Sequence, residues 1–328
     1  MKIIQAESLE SIDGYRMREA ETPVAGRGEV VIEIAACGVG YVDALVSLGR
    51  YQVKPALPHV PGKEVAGRVH AIGEGVAGFA IGDRVLAAVD GGFAQFVRAP
   101  VAAVFRIPAR LSFVQAAGFR INYLTALHGL RDRARLAPGE NLLVLGAAGG
   151  VGSAAVQVGR ALGATVVAAA STPAKREYAR GNGAHEVIDT DPDGWRDRLK
   201  VACAGTGPDV VFDPVCGPLF EPAFRSLRWG GRLLVVGFVG GPIPSLRANL
   251  ALMKGAAMVG VDVRQFILYE PARADAQLEE MLGWAADARI DPPVGREFAF
   301  EDYRAALEFA LTGQGSGKTV LRVAADVA

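Results

Sequence analysis

The segment NLLVLGAAGGVGSAAVQVGRALGATVVAAAS, residues 141–171, leaves this chain few folds to choose from. An unbroken apolar run, NLLVLG, stops at a glycine-rich turn. GGVGSAAVQVGRALG follows with the pattern of a helix, and ATVVAAAS is a second apolar run. A strand with no polar alternation is buried on both faces, as in a parallel sheet, and parallel neighbours need a crossover such as this helix. The same beat continues downstream: AKREYARGNGA reads as a helix, and HEVID, DVVFDPV and GRLLVVGFVG as strands. Alternation from about Tyr123 to Val261 predicts a doubly wound parallel sheet.

The flanks have another texture. From Met1 to about Arg120, short alternating runs such as GEVVIEIAACGVG, VAGRVHAIG and DRVLAAV lie between Gly and Pro turns and predict an antiparallel, barrel-like domain. In the tail, DAQLEEMLGWAADARI and EDYRAALEFAL read as amphipathic helices and KTVLRV as a last strand. None has a place in the parallel sheet, so all three are expected to return to the first domain. A chain of 328 residues exceeds one hydrophobic core. The expected division is 1–122 with 262–328, around 123–261. A content of 51% hydrophobic and 21% charged residues is that of a globular chain, with zero net charge and no general field to recruit nucleic acid or an anionic membrane. MKIIQAESLE lacks the apolar core of a signal peptide, and Leu142–Val156 is too short to span a membrane. Cys37, Cys203 and Cys216 cannot build a disulfide framework. The expectation is a soluble, cytoplasmic protein.

The turn Ala147-Ala148-Gly149-Gly150-Val151-Gly152 is an A-x-G-x-x-G form of the dinucleotide fingerprint. Gly149 lets the backbone approach a pyrophosphate, Gly152 lets the helix pack on the strand, and the helix N-terminus offers N–H groups and a positive dipole end. The end of the second strand distinguishes coenzymes. NAD sites usually carry Asp or Glu there, whereas this chain reads Ala170-Ser171-Thr172-Pro173-Ala174-Lys175-Arg176. With no carboxylate to repel a 2′-phosphate, the expected cofactor is NADPH; the competing reading makes Lys175 and Arg176 a solvated face. GQGSGKT, residues 313–319, ends like a nucleotide-binding P-loop. It has Thr312 in place of the first glycine, and it follows a helix and precedes a strand, the reverse of what a phosphate cradle needs.

A catalytic zinc needs three deprotonated protein ligands. Cys37 qualifies, but Lys63 is cationic, GFRINYLT supplies no cysteine, and His59, His70, His128 and His185 are scattered. No cysteine cluster exists for a structural zinc. Cys37 reads as a small buried hydrophobe, and the chain as metal-free.

PGKEVAGRVHAIGEGV is spaced like the signature of zinc alcohol dehydrogenases, with Lys63 where those enzymes have a metal-binding histidine. Together with CGVGYVDALVSLGRY, GFRINYLTALHGLRDRARLAPGENLLVLGAAGGVG and DPVCGPLFEPAFRSLRWGGRLLVVGFVGG, it makes the chain resemble the medium-chain dehydrogenase/reductase superfamily, in its zinc-free quinone oxidoreductase (zeta-crystallin-like) branch, over essentially its whole length. The resemblance implies an α/β protein, a GroES-like β-barrel catalytic domain plus a Rossmann domain with a doubly wound parallel sheet. It also implies NADPH-dependent hydride transfer to a quinone or an activated C=C bond, and a homodimer formed through sheet edges near LLVVGFVGG.

The resemblance carries site residues with it. Thr125 matches a position near the nicotinamide and ribose, and the Gly150 and Val151 backbone matches the pyrophosphate site. Ser171 and Lys175 match the 2′-phosphate grip, Gly237-Phe238-Val239 the strand edge facing the nicotinamide, and Lys318 a position that approaches the cofactor. Tyr51 aligns with a tyrosine that enoyl-thioester reductases place near the substrate double bond; it is either a proton donor or an aromatic wall, and Tyr41 is a second pocket-lining candidate. Relatives often have Asn at Gly40 and Tyr at Thr190. Without a Lewis-acid metal the acceptor must already be electrophilic, as quinones and α,β-unsaturated carbonyls are. Three functions follow: a quinone reductase first, an enal or enoyl-thioester reductase second, and a catalytically idle NADPH-binding protein third.

Overall fold

Six apolar runs make the parallel sheet: β1 (Asn141–Leu145), β2 (Thr165–Ala169), β3 (Glu186–Ile188), β4 (Val210–Asp213), β5 (Arg232–Val235) and β6 (Ala257–Gly260). In the computed structural model, which describes residues 1–324, they lie in the order β3-β2-β1-β4-β5-β6, all parallel. Leu142, Leu143 and Val144 are fully buried, as an unalternating strand requires. The connections run to one side from β1 to β3 and to the other from β4 onward. The β1/β4 boundary is therefore the switch point where ligands bind sheets of this kind. One face of the sheet packs Trp195, Leu199, Phe220 and Phe224 against Leu143, Val167, Val211 and Leu233.

The resemblance implies a dimer through sheet edges near LLVVGFVGG, the run that contains most of β5. β5 is paired on both sides, and the edges are β3 and β6. The continuous apolar run of GRLLVVGFVG signals burial but not position, because an interior strand and an edge strand under a helix read alike.

The chain divides into two compact units, Ile121–Asp291 and Met1–Arg120 with the segment from Pro292. The crossing back at 292 is later than the expected 262. The helix Pro271–Ala286, expected in the first domain, stays with the parallel sheet. Its anchors explain why. Arg273 bonds the buried Asp132 carboxylate at 2.7 Å, Gln277 donates to the same carboxylate at 2.7 Å, and Glu280 accepts from Arg131 at 2.7 Å. Asp132 lies on a wide π-helical turn, His128–Arg133, whose His128 ring stacks on Phe266 at 3.9 Å. Amphipathicity shows that a helix buries a face, not which unit it buries it against.

In the other unit a seven-stranded sheet is antiparallel throughout except between Val294–Ala299 and Lys318–Arg322. Its longest strand, Glu29–Val39, pairs along its first half with Phe96–Pro100 and along its second with Lys318–Arg322, with Glu64–Ile72 on its other side. The core gathers Ile32, Ile34, Cys37, Val65, Val69, Phe93 and Leu321 with Tyr303 and Leu307 of the helix Tyr303–Thr312. That helix precedes GQGSGKT and the strand Lys318–Arg322 follows it, the order expected for a connecting loop. Among the described residues, no helix is long and apolar enough to cross a membrane.

Candidate functional site

The chemistry-bearing residues form two groups, one in each unit. In the parallel-sheet unit β1 ends at Leu145, and Gly146 turns the chain at φ 58°. Gly149 then caps the helix Gly150–Ala161, with no side-chain hydrogen bond over its N-terminus. The first N–H groups of a helix have no intrahelical acceptor, so those of Gly150 and Val151 lie where an anion is held best. Two glycines let the helix lie this close to the strand. A Cβ on Gly152 would sit 2.2 Å from the Gly146 carbonyl oxygen, and one on Gly159 2.4 Å from Leu142 Cδ2, so both are fixed by helix-on-strand packing. A Cβ on Gly150 would come within 2.9 Å of the buried Asn122 amide. Gly149 meets only ordinary contacts, its nearest neighbour being the Gly146 oxygen at 3.4 Å, which leaves its outer side open to a ligand.

At the end of β2, Ser171 and Thr172 are exposed. The Thr172 hydroxyl accepts the Lys175 N–H at 3.2 Å and caps the helix Pro173–Gly181. Burial lowers the Lys175 ammonium below its ordinary value. Arg176, which the sequence leaves undecided between cofactor and solvent, folds back onto the strand end: Nη1 donates to the Ala170 carbonyl at 3.1 Å and lies 3.4 Å from that of Ser171. No acidic side chain occurs from Ala170 to Arg176. The glycine cradle and this cationic, carboxylate-free strand end fit a pyridine dinucleotide with a 2′-phosphate.

Thr125 is buried in the helix Arg120–Leu127 and donates its hydroxyl to the Ile121 carbonyl at 2.6 Å. Gly237, Phe238 and Val239 lie beyond the last residue of β5, in a loop and not in the strand. The loop is tied to the exit of β4. Val236 donates to Asp213 O at 3.0 Å, Gly240 donates to Val215 O at 2.8 Å, and a Cβ on Gly237 would be 3.0 Å from Pro214 O. Asp213, which the sequence reading missed, organises that exit. Fully buried, its Oδ1 accepts the N–H groups of Val215 and Cys216 at 2.8 Å each, and burial pushes its carboxyl above the ordinary value against those bonds. The available signal was DPVCG, an Asp followed by Pro and Gly, which marks an Asx-type turn.

In the other unit the residues spaced like a zinc signature do different work. Lys63 forms an ion pair with Asp90 at the surface. Cys37 points into the core, where a Cβ on Gly62 or Gly92 would crowd its sulfur at 2.8 and 3.0 Å. Burial pushes the Cys37 thiol well above its usual range, and Asp43 adds to the effect. Glu64 is buried and accepts from Lys318 Nζ at 3.2 Å. Burial alone would lower the Lys318 ammonium, but Glu64 and then Asp43 outweigh it and hold it above its ordinary value. Asp43 accepts the Gly40 N–H at 2.7 Å, and its carboxyl is pushed up by burial against the pull of Lys318. Lys318, implied by resemblance to approach the cofactor, here has Glu64 as its bonded partner. Small residues make the space: a Cβ on Gly118 would strike Lys318 Cγ at 2.7 Å, and one on Gly38 the Ala117 carbonyl at 2.2 Å. Among the described residues no group of three His, Cys, Asp or Glu side chains is placed to hold a metal. Tyr41 opens the helix Tyr41–Ser47 and Tyr51 lies in the bend after Gly49, both half-buried.

Two family models match the chain, the zinc-binding dehydrogenase at residues 150–286 and the alcohol dehydrogenase GroES-like domain at residues 26–109. Quinone oxidoreductase of Mus musculus is 33% identical, over 91% of this chain and 90% of its own length. Among solved structures, the quinone oxidoreductase of Thermus thermophilus, determined alone and with NADPH, matches at TM-score 0.85 and 33% identity, covering 98% of this chain and 100% of that one. The CurK enoyl reductase matches at TM-score 0.88 and 25% identity, covering 98% of each chain.

Proposed function

We propose that this chain, which belongs to the zinc-free quinone oxidoreductase branch of the medium-chain dehydrogenase/reductase superfamily, is an NADPH-dependent reductase whose acceptor is a quinone. One observation narrows the acceptor to a compound electrophilic without a metal, and the relatives favour a quinone among such compounds. Where the zinc signature would put a ligand, Lys63 pairs with Asp90, and Cys37 is a buried thiol that burial pushes well above its usual range. A site built this way suits an acceptor that is electrophilic without a Lewis acid, and the relatives named quinone oxidoreductases point the same way.

Bound NADPH supplies the hydride. The chain's own residues hold and orient it. The Gly150 and Val151 N–H groups take the pyrophosphate, and Ser171 with Lys175 takes the 2′-phosphate. Thr125 and the loop Gly237-Phe238-Val239 border the nicotinamide. Most of the acceleration in such a site is proximity and orientation. Tyr41 and Tyr51 shape the acceptor's surroundings; a quinone needs no protonation at carbon, so Tyr51 is not required to move a proton.

The second reading, reduction of an enal or enoyl thioester, is favoured by the CurK likeness and by Tyr51. A phenol hydroxyl can donate a proton to an enolate carbon. The two readings part in one assay: NADPH oxidation with a naphthoquinone against crotonyl-CoA. Turnover of the naphthoquinone alone supports the first, and faster turnover of crotonyl-CoA replaces it with the second.

The functional particle is a cytoplasmic homodimer joined through β6. Among the described residues that edge strand has no partner on one side, Met258 on it is exposed, and Trp229 and Leu252 nearby are 84% and 82% exposed. An edge strand meeting its own copy about a two-fold axis extends the sheet antiparallel and covers such a patch. Light scattering tests this. The wild type is expected at twice the chain mass and Met258→Lys at the monomer mass; a monomeric wild type overturns it.

A further inference from the structure

The geometry points to Arg176 as a residue that selects the phosphorylated coenzyme, with its guanidinium set at the end of β2 as a preformed receptor for the 2′-phosphate. The inference rests on the NADPH reading and adds to Ser171 and Lys175 a third group of different chemistry. Chains that choose NAD place a carboxylate where β2 ends, to bond the ribose hydroxyl; an arginine nearby is the general device for accepting a phosphate instead. Here the carboxylate is absent and a guanidinium is bonded to that very stretch of backbone, at 3.1 Å from Ala170 O.

Three features make this more than a surface arginine. The Nη1 contacts to the Ala170 and Ser171 carbonyls use one corner of the group and fix its plane, while the side chain stays partly exposed. A planar fork held in this way binds phosphate through paired bonds with little further loss of rotamer freedom. Second, Asp189, whose carboxyl Arg176 helps to lower, has its hydrogen bonds elsewhere. Its Oδ1 accepts from Arg198 at 2.8 Å and from the Asp191 N–H at 3.0 Å. Arg176 is thus not drawn off the strand end by an ion pair. Third, Arg176 follows Lys175 in the first turns of the helix Pro173–Gly181, which sets two positive charges near the same strand end.

The test is coenzyme binding, read by titration calorimetry on the full-length chain, without turnover. Arg176→Ala is expected to weaken NADPH binding by about tenfold to a hundredfold, the loss of a charge-assisted pair of bonds, and to leave NADH within about twofold. Adenosine 2′,5′-bisphosphate is expected to lose affinity in parallel and 5′-AMP is not, which ties the effect to the 2′ group. Arg176→Lys keeps charge without the fork and is expected to fall between. If Arg176→Ala weakens NADPH and NADH equally, the residue only braces the strand end and the inference is overturned; an unchanged ratio for both Arg176→Ala and Arg176→Lys overturns it too. A wild type that binds NADH as tightly as NADPH overturns the underlying cofactor reading instead, and is seen before any variant is made.

Discussion

The glycine turn after β1 is partly exposed at Gly146, Gly149 and Gly150, whereas the Glu64–Lys318 pair is largely buried. They are built in opposite ways. The turn comes from neighbours in sequence: Gly146, Gly149 and Gly152 meet within one strand–helix junction, and the constraint is steric. The ion pair joins residues 254 positions apart, with Asp43 and Cys37 brought in from a third segment, and the constraint is electrostatic. A local steric motif can be read and can be broken one residue at a time. A long-range charge cluster is legible only when folded, and its members depend on one another.

That contrast predicts where substitutions hurt most. Lys318→Met removes the positive charge bonded to the buried Glu64 carboxylate and is expected to cost about 3–5 kcal/mol in chemical denaturation. Glu64→Gln in the same chain is expected to restore most of it, and additive losses would show that the two do not act as a pair. Next comes acid. Burial holds His59 down at about 4 against an ordinary 6.5, and Lys63 adds to the effect; its Nδ1 lies 2.6 Å from the Tyr15 hydroxyl. A depressed value means that the unfolded chain takes up the proton first. The neutral ring's contribution is therefore complete above pH 6.5 and is lost as pH falls toward 4, by up to about 3 kcal/mol. Segment-resolved hydrogen exchange should show this loss around Ala6 and His59. His59→Gln should flatten the profile, and equal loosening of both units would assign it elsewhere.

Gly152→Ala tests the steric motif. A methyl group 2.2 Å from a carbonyl oxygen forces the helix off β1, at about 1–3 kcal/mol, with NADPH affinity falling at least tenfold. Gly149→Ala, which meets no such clash, should hold its melting temperature while losing affinity, so that stability and binding separate between two glycines of one turn. The smallest effect is expected at Tyr51→Phe: less than about twofold in naphthoquinone turnover, since no proton is moved to carbon. Abolished turnover with NADPH affinity unchanged would overturn the mechanism.

Much of the nucleotide end was legible in the chain. The run from Asn141 to Ser171 announces strand, turn, helix and strand, and the missing carboxylate after β2 is visible at sight. Arg176 was visible but undecided, because a helix's first turn presents charges to solvent and to a strand end alike; only the structure shows it bonded to the Ala170 carbonyl. Asp213 was passed over because an acid near a turn is ordinary, and only its burial shows that it braces the β4 exit. The later crossing at Pro292 was misplaced because the helix Pro271–Ala286 shows an apolar face without showing its partner, which is Asp132 and its surroundings.

Sequence alone determined the parallel sheet and its glycine turn, because backbone geometry and steric volume are properties of neighbouring residues. Tertiary structure decided that β5 is interior and β6 the edge, that Lys318 answers Glu64, and that Cys37 is sealed against Gly62 and Gly92. Those choices depend on which distant segments share a low-dielectric interior, where a charge must find a counter-charge and an apolar face a partner, and no stretch of chain specifies that by itself.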